Sequence, residues 1–81
     1  MRIRFTPSAS RAFAEAPAPV QKAFLKQAAF LVQGLRHPSL RAKKYNETKG
    51  RWQARVNQDW RFYFVIEDDA YLILDIIPHP K

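Results

Sequence analysis

Hydrophobic and polar positions follow two different periods along this chain. From Met1 to Thr6 the order Arg2, Ile3, Arg4, Phe5 alternates, predicting a short strand with one buried face. Thr6-Pro7 supplies an N-cap and a proline suited to the first helical turn, so a short helix is expected from Pro7 to Glu15, burying Ala9, Ala12 and Phe13. Pro17 and Pro19 stop it and restart the chain. From Pro19 to Leu35 the spacing is helical, with Phe24, Ala28, Leu31 and Leu35 as one stripe flanked by Leu25 and Val32. Gln21, Lys22, Lys26 and Gln33 fall mainly outside it, and Gly34 marks the end. His37-Pro38-Ser39 then opens a loop.

The remainder has the period of strands. Arg51 to Val56 places Trp52, Ala54 and Val56 opposite Arg51, Gln53 and Arg55. Trp60 to Ile66 sets Trp60, Phe62, Phe64 and Ile66 against Arg61, Tyr63 and Val65. Ala70 to Pro78 sets Leu72, Leu74 and Ile76 against Tyr71, Ile73, Asp75 and Ile77. A two-residue loop at Gln58-Asp59 would put arginines on the apolar face. A three-residue loop pairs Val56 with Trp60 and keeps the apolar faces together, so it is preferred. The same logic pairs Ile66 with Ala70, Phe64 with Leu72 and Phe62 with Leu74, and sets Arg61 across from both Arg55 and Asp75. One sheet face should then collect Arg55, Arg61, Tyr63, Asp75 and His79, while the other packs on the helices. The architecture expected is α+β: an N-terminal strand and a helical hairpin on one face of a twisted antiparallel sheet.

Charge changes this picture from scaffold to site. The segment Arg36–Arg61 holds eight lysines and arginines against Glu47 and Asp59, +6 of the chain's formal +7. Tyr45, Trp52 and Trp60 are interleaved with those cations. Concentrated positive charge attracts polyanions and releases counterions from phosphates, and exposed rings stack on unpaired bases for roughly 1–3 kcal/mol each. The competing reading is a solvated basic loop with the tryptophans in the core. With 81 residues the chain is expected to form one domain, 1–81. It has no cysteine and only two histidines, His37 and His79, which excludes a disulfide framework and a thiol nucleophile and argues against a metal cluster. No cofactor is expected. Without an apolar leader or a run of roughly 20 apolar residues, a soluble cytoplasmic protein is expected. The pI near 10.3 calls for an acidic partner.

Two arginines facing each other repel unless something anionic intervenes. Asp75 would do so internally, as a plain ion pair with Arg61; an RNA phosphate would do so functionally. Cleaving RNA without metal needs a base for the 2′-hydroxyl, an acid for the 5′-oxygen and cations for the charged transition state. His79 is the one side chain on this face that ordinarily titrates near neutrality. Arg61 and Arg55 are the candidates for charge stabilisation. Lys44 and Lys49, with Arg41, Lys43 and Arg51, are candidates for holding phosphates, and Tyr63 for stacking on a base. Trp60 is more readily a core residue, and His37 a capping one.

The ordered set His37-Pro38-Ser39-Leu40-Arg41, Lys43-Lys44, Trp52-x-x-Arg55-Val56, Asp59-Trp60-Arg61, Leu72 to Ile77 and His79 resembles the RelE/ParE family of bacterial toxins. The resemblance spans Ile3 to His79. It implies a toxin of a type II toxin–antitoxin pair: RelE-like members cut messenger RNA in the ribosomal A site, whereas ParE-like members poison DNA gyrase. It also implies an acidic antitoxin covering the Arg36–Arg61 surface or the helical hairpin. By the same resemblance, Arg61 matches a family arginine tied to cleavage, and His79 a histidine kept by many catalytic members. Gln53 and Arg55 stand where RelE has paired lysines, and the sequence stops at Lys81, short of that enzyme's basic and tyrosine tail residues. Pro78 and Pro80, on either side of His79, are expected to stiffen its backbone. The resemblance thus favours a metal-independent, ribosome-associated mRNA endonuclease that inhibits translation. The alternatives are a gyrase inhibitor and a non-catalytic RNA- or antitoxin-binding protein of the same fold.

Overall fold

Thr6 ends the first strand and starts the first helix with one side chain. In the computed structural model, which describes residues 1–79, its hydroxyl accepts from the Ala9 N–H at 3.0 Å and donates to the Leu74 carbonyl at 3.3 Å. The N-cap thereby ties strand β1 (Arg2–Phe5) and helix α1 (Pro7–Glu15) to strand β5 (Ala70–Pro78). Helix α2 (Ala18–Gln33) follows after Ala16-Pro17 and is fixed to α1 by Gln21, whose Nε2 donates to the Phe13 carbonyl at 2.8 Å. The stripe on α2 is Val20, Phe24, Gln27, Ala28 and Leu31, while Leu25 and Val32 face outward.

A 3-10 turn (Pro38–Leu40) buries Leu40 completely and leads to strand β2 (Lys43–Asn46). His37 caps that turn as expected: its Nδ1 accepts from the Ser39 N–H, and its ring stacks on Phe30 at 3.9 Å between centroids. β2 is a strand where the residue pattern predicts loop. Lys43-Lys44 carries no apolar alternation, and a register shift between Lys44 and Asn46 breaks its period.

Strands β3 (Arg51–Arg55) and β4 (Trp60–Glu67) complete a five-stranded sheet in the order β1-β5-β4-β3-β2. Four strands run antiparallel, and β1 joins parallel to β5, so the sheet is mixed. The helices cover one face. Phe24 is the hub of that layer, meeting Phe5, Phe13 and Phe62 edge-to-face at 5.2–5.8 Å. Both tryptophans are half-buried against the core; Trp52 lies parallel to Phe64 at 6.2 Å.

The β3–β4 register agrees with the sequence reading. Arg55 opposes Arg61, Ala54 opposes Phe62, and Val56 donates to the Trp60 carbonyl at 3.0 Å. The β4–β5 register does not. The turn is two residues, Asp68-Asp69, because Asp68 adopts a left-handed φ of 49°, which aspartate tolerates better than most residues. Glu67 therefore opposes Ala70 and Phe64 opposes Ile73, so Tyr71 and Ile73 enter the core where Leu72 and Leu74 were expected. A bulge between Tyr63 and Phe64 on one side and Ile73 and Asp75 on the other then restores the phase. Ile76 is buried as expected, while Asp75 opposes Tyr63 rather than Arg61.

A candidate RNA-binding cleft

The uncovered sheet face carries Arg55, Arg61, Tyr63, Asp75 and His79, but it divides them between two depressions. A cleft of about 300 Å³ is lined by Arg41, Lys43, Gln53, Arg55, Arg61 and His79. β3 and β4 supply the two arginines as a cross-strand pair, and β2 supplies Lys43 opposite Gln53. His79 is exposed at the end of β5, where its backbone N–H donates to the Asp59 carbonyl at 2.7 Å. That bond seats His79 beside the β3–β4 turn and next to Arg61. Pro80, expected to stiffen His79 from the other side, lies outside the described residues.

No carboxylate of the described residues pairs with any cation of this cleft; the two ion pairs found are Arg2–Asp69 and Lys44–Glu47. The two arginines are instead reconciled by backbone oxygen. Arg61 Nη1 donates to the carbonyls of Asn57 at 2.7 Å, Trp60 at 2.9 Å and Gln58 at 3.4 Å. Arg55 Nε donates to the same Asn57 carbonyl at 3.3 Å. A carbonyl carries only partial charge, so the cleft keeps its full positive charge while the side chains are held in place. Each guanidinium retains donors beyond those engaged.

Arg41 reaches this cleft from the 3-10 turn with a left-handed backbone, φ 46°. Gln27 was missed by the sequence reading. It is a buried polar residue of α2 whose Nε2 donates to the Ser39 carbonyl at 3.0 Å and the Arg55 carbonyl at 2.7 Å. One side chain thus holds both the turn that carries Arg41 and the end of the strand that carries Arg55. A glutamine within an otherwise apolar stripe was the available signal.

The other expected phosphate ligands lie apart. Lys44 sits over Trp52, 5.5 Å from the ring centroid, and within 3.7 Å of Glu47. Lys49 belongs to the β2–β3 turn, at the opposite end of the sheet face from His79. Arg51, Tyr63 and Asp75 line the second, wider depression of about 490 Å³ together with Tyr45, Thr6 and Ser8. There Tyr63 is engaged on two sides: its hydroxyl accepts from Gln53 Nε2 at 3.0 Å, and its ring meets Tyr45 edge-to-face at 5.1 Å. Among the described residues there is no group of three metal-ligating side chains, and no helix is long and apolar enough to cross a membrane.

No protein-family model and no curated protein sequence matches the chain. Solved structures do. A YoeB/ParE toxin from Agrobacterium tumefaciens superposes with a TM-score of 0.82 at 12% identity, covering 99% of this chain and 100% of that one. The toxin–antitoxin complex RelBE2 from Mycobacterium tuberculosis matches with a TM-score of 0.73 at 25% identity over 96% of each chain. The archaeal RelE–RelB complex from Pyrococcus horikoshii OT3 matches with a TM-score of 0.76 at 20% identity, over 95% of this chain and 92% of that one. With agreement across nearly the full length of each of these chains, the fold of this protein is that of the RelE/ParE toxins.

Proposed function

We propose that the chain is the toxin of a type II toxin–antitoxin pair and acts as a metal-independent endonuclease on messenger RNA at the ribosome. The observation that carries this reading is the cleft in which Arg41, Lys43, Arg55 and Arg61 surround one histidine with no carboxylate to neutralise them. In the proposed reaction His79 takes the 2′-hydroxyl proton, and the 2′-oxygen attacks the adjacent phosphorus. The bond to the 5′-oxygen breaks, and that oxygen receives a proton from the Lys43 ammonium, leaving a 2′,3′-cyclic phosphate and a 5′-hydroxyl. Arg55 and Arg61 stabilise the charge that develops on the phosphorane oxygens. Both arginines are already oriented by the Asn57 carbonyl, so little reorganisation accompanies substrate binding. The ribosome supplies what this open cleft lacks, a surface that holds the message in place.

An acidic antitoxin is the partner that suits this surface, and the archaeal RelE–RelB and mycobacterial RelBE2 relatives are toxin–antitoxin complexes. Induced expression combined with transcript 5′-end mapping tests the proposal. Growth arrest with cuts phased to the reading frame is expected. Arrest with intact transcripts and a DNA-damage response would transfer the assignment to gyrase, and unimpeded growth would leave a binding protein of this fold.

A further inference from the structure

The wider depression on the same sheet face places opposite charges together without joining them. Arg51 and Asp75 both line it, yet no ion pair forms between them, and neither pairs with any other described residue. Asp75 is held by its own strand: Oδ1 accepts from the Ile76 N–H at 2.9 Å, which leaves Oδ2 as a free acceptor. The β5 bulge sets this carboxylate opposite Tyr63, at cross-strand spacing of about 5 Å. Tyr45, 46% exposed, meets Tyr63 at a steep angle, so a face of its ring remains open within the hollow that the carboxylate also lines.

An aromatic face, an acceptor-only carboxylate and a guanidinium around one hollow complement a nucleotide: base on the ring, base edge on the acid, phosphate on the cation. The carboxylate also selects among bases. Guanine alone presents two adjacent donors, N1–H and N2–H, on its Watson–Crick edge. Adenine and cytosine offer one donor beside an acceptor, and uracil one donor between two acceptors. Tyr63 lies two residues along β4 from Arg61, a rise of about 7 Å, which puts this hollow next to the cationic cleft.

Building on the nuclease reading above, we propose that Tyr45, Arg51 and Asp75 form a guanine-selective subsite for the nucleotide adjoining the cleaved phosphate. The test uses fluorescein-labelled 2′-O-methyl trinucleotides, which lack the attacking hydroxyl, titrated against the full chain by fluorescence anisotropy. UGU should bind at least about tenfold tighter than UAU or UCU, with inosine, which lacks the N2 amine, in between. Asp75→Asn keeps the acceptor for Ile76 but points an amide at the base, and should erase the preference of UGU over UAU and UCU. Arg51→Ala should weaken all three alike. Equal affinity for UGU and UAU, or a preference that survives Asp75→Asn, overturns the subsite and leaves the nuclease proposal standing. Absence of binding by every trinucleotide also overturns the subsite, while the ribosome-dependent nuclease reading stands or falls on the transcript mapping above. Asp75→Asn that weakens an antitoxin complex but not the UGU preference also overturns it and reassigns the carboxylate to a protein contact.

Discussion

Arg55 and Arg61 face each other across β3 and β4, and both donate to the carbonyl of Asn57. Facing arginines call for an anion, and the sequence offers Asp75 from within and an RNA phosphate from outside. The answer is a turn carbonyl from the loop that joins their own strands. The two cations are therefore part of the hairpin's closure as well as of its chemistry, which makes their contributions to stability separable by mutation.

Arg61→Ala removes three donations to turn carbonyls and should cost about 1–2 kcal/mol in urea denaturation, while Arg55→Ala, losing one long bond, should cost less. The double variant should be more destabilised than the sum of the two, because the sum counts relief of the one Arg–Arg repulsion twice, and only the double change leaves the Asn57 carbonyl without either donor. A coupling of at least about 0.5 kcal/mol is expected. Strict additivity would mean that the shared carbonyl is incidental.

Gln27→Leu fits the apolar stripe but leaves the Ser39 and Arg55 carbonyls without their donor. It should cost about 1–3 kcal/mol and reduce RNA cleavage more than fold loss alone explains, read by assaying well below the melting temperature. Gln27→Glu should be worse at neutral pH. A buried carboxylate facing two carbonyls has its pKa raised above the unfolded value, so the variant should be more stable below that unfolded pKa and lose stability as pH rises through the folded one. Denaturation midpoints at acidic and neutral pH check the sign.

Arg41 holds a left-handed backbone that costs a non-glycine residue about 1 kcal/mol. Arg41→Gly should therefore raise the urea midpoint while weakening RNA binding, whereas Arg41→Ala weakens binding without that gain. If both variants had the same stability, the φ of 46° would carry no strain.

Salt dependence should sort the cations. Each phosphate contact to single-stranded RNA adds about 0.7 to the slope of log affinity against log salt. Arg41→Ala and Lys43→Ala should each lower the slope by roughly that amount. Lys44→Ala should change it little, since that ammonium is already shared between Glu47 and Trp52. A full-sized effect for Lys44 would show that it leaves Glu47 for RNA.

The elements with clean periods were legible in the sequence. α1 runs from Pro7 to Glu15 as the Thr6-Pro7 cap and Pro17 dictate, and the β3–β4 register follows from keeping arginines off the core. What stayed hidden depended on single backbone choices. The left-handed Asp68 shortened one turn by a residue, and the bulge at Leu74 added a second one-residue shift, so Asp75 returned to the expected face with its cross-strand partner displaced by two. The solved Arg–Arg contact was equally out of reach, since carbonyls leave no mark in side-chain pattern. Gln27 was visible as an anomaly, but its two partners lie 12 and 28 residues away in sequence.

The parallel contact between β1 and β5 has a kinetic consequence. Arg2 pairs with Ala70, so the strand that ends beside His79 is completed only by closing a loop of nearly the whole chain. Closure of that length comes after the local hairpins have formed and slows the final step of folding. β5 lies between β1 and β4, so its local hairpin with β4 seats the histidine at the Asp59 carbonyl independently of β1, which docks on Ala70–Ile73 and is clasped by Thr6 at Leu74. The slow step therefore completes the sheet edge away from the cleft, whose lining comes from the 3-10 turn, β2, β3, β4 and the end of β5.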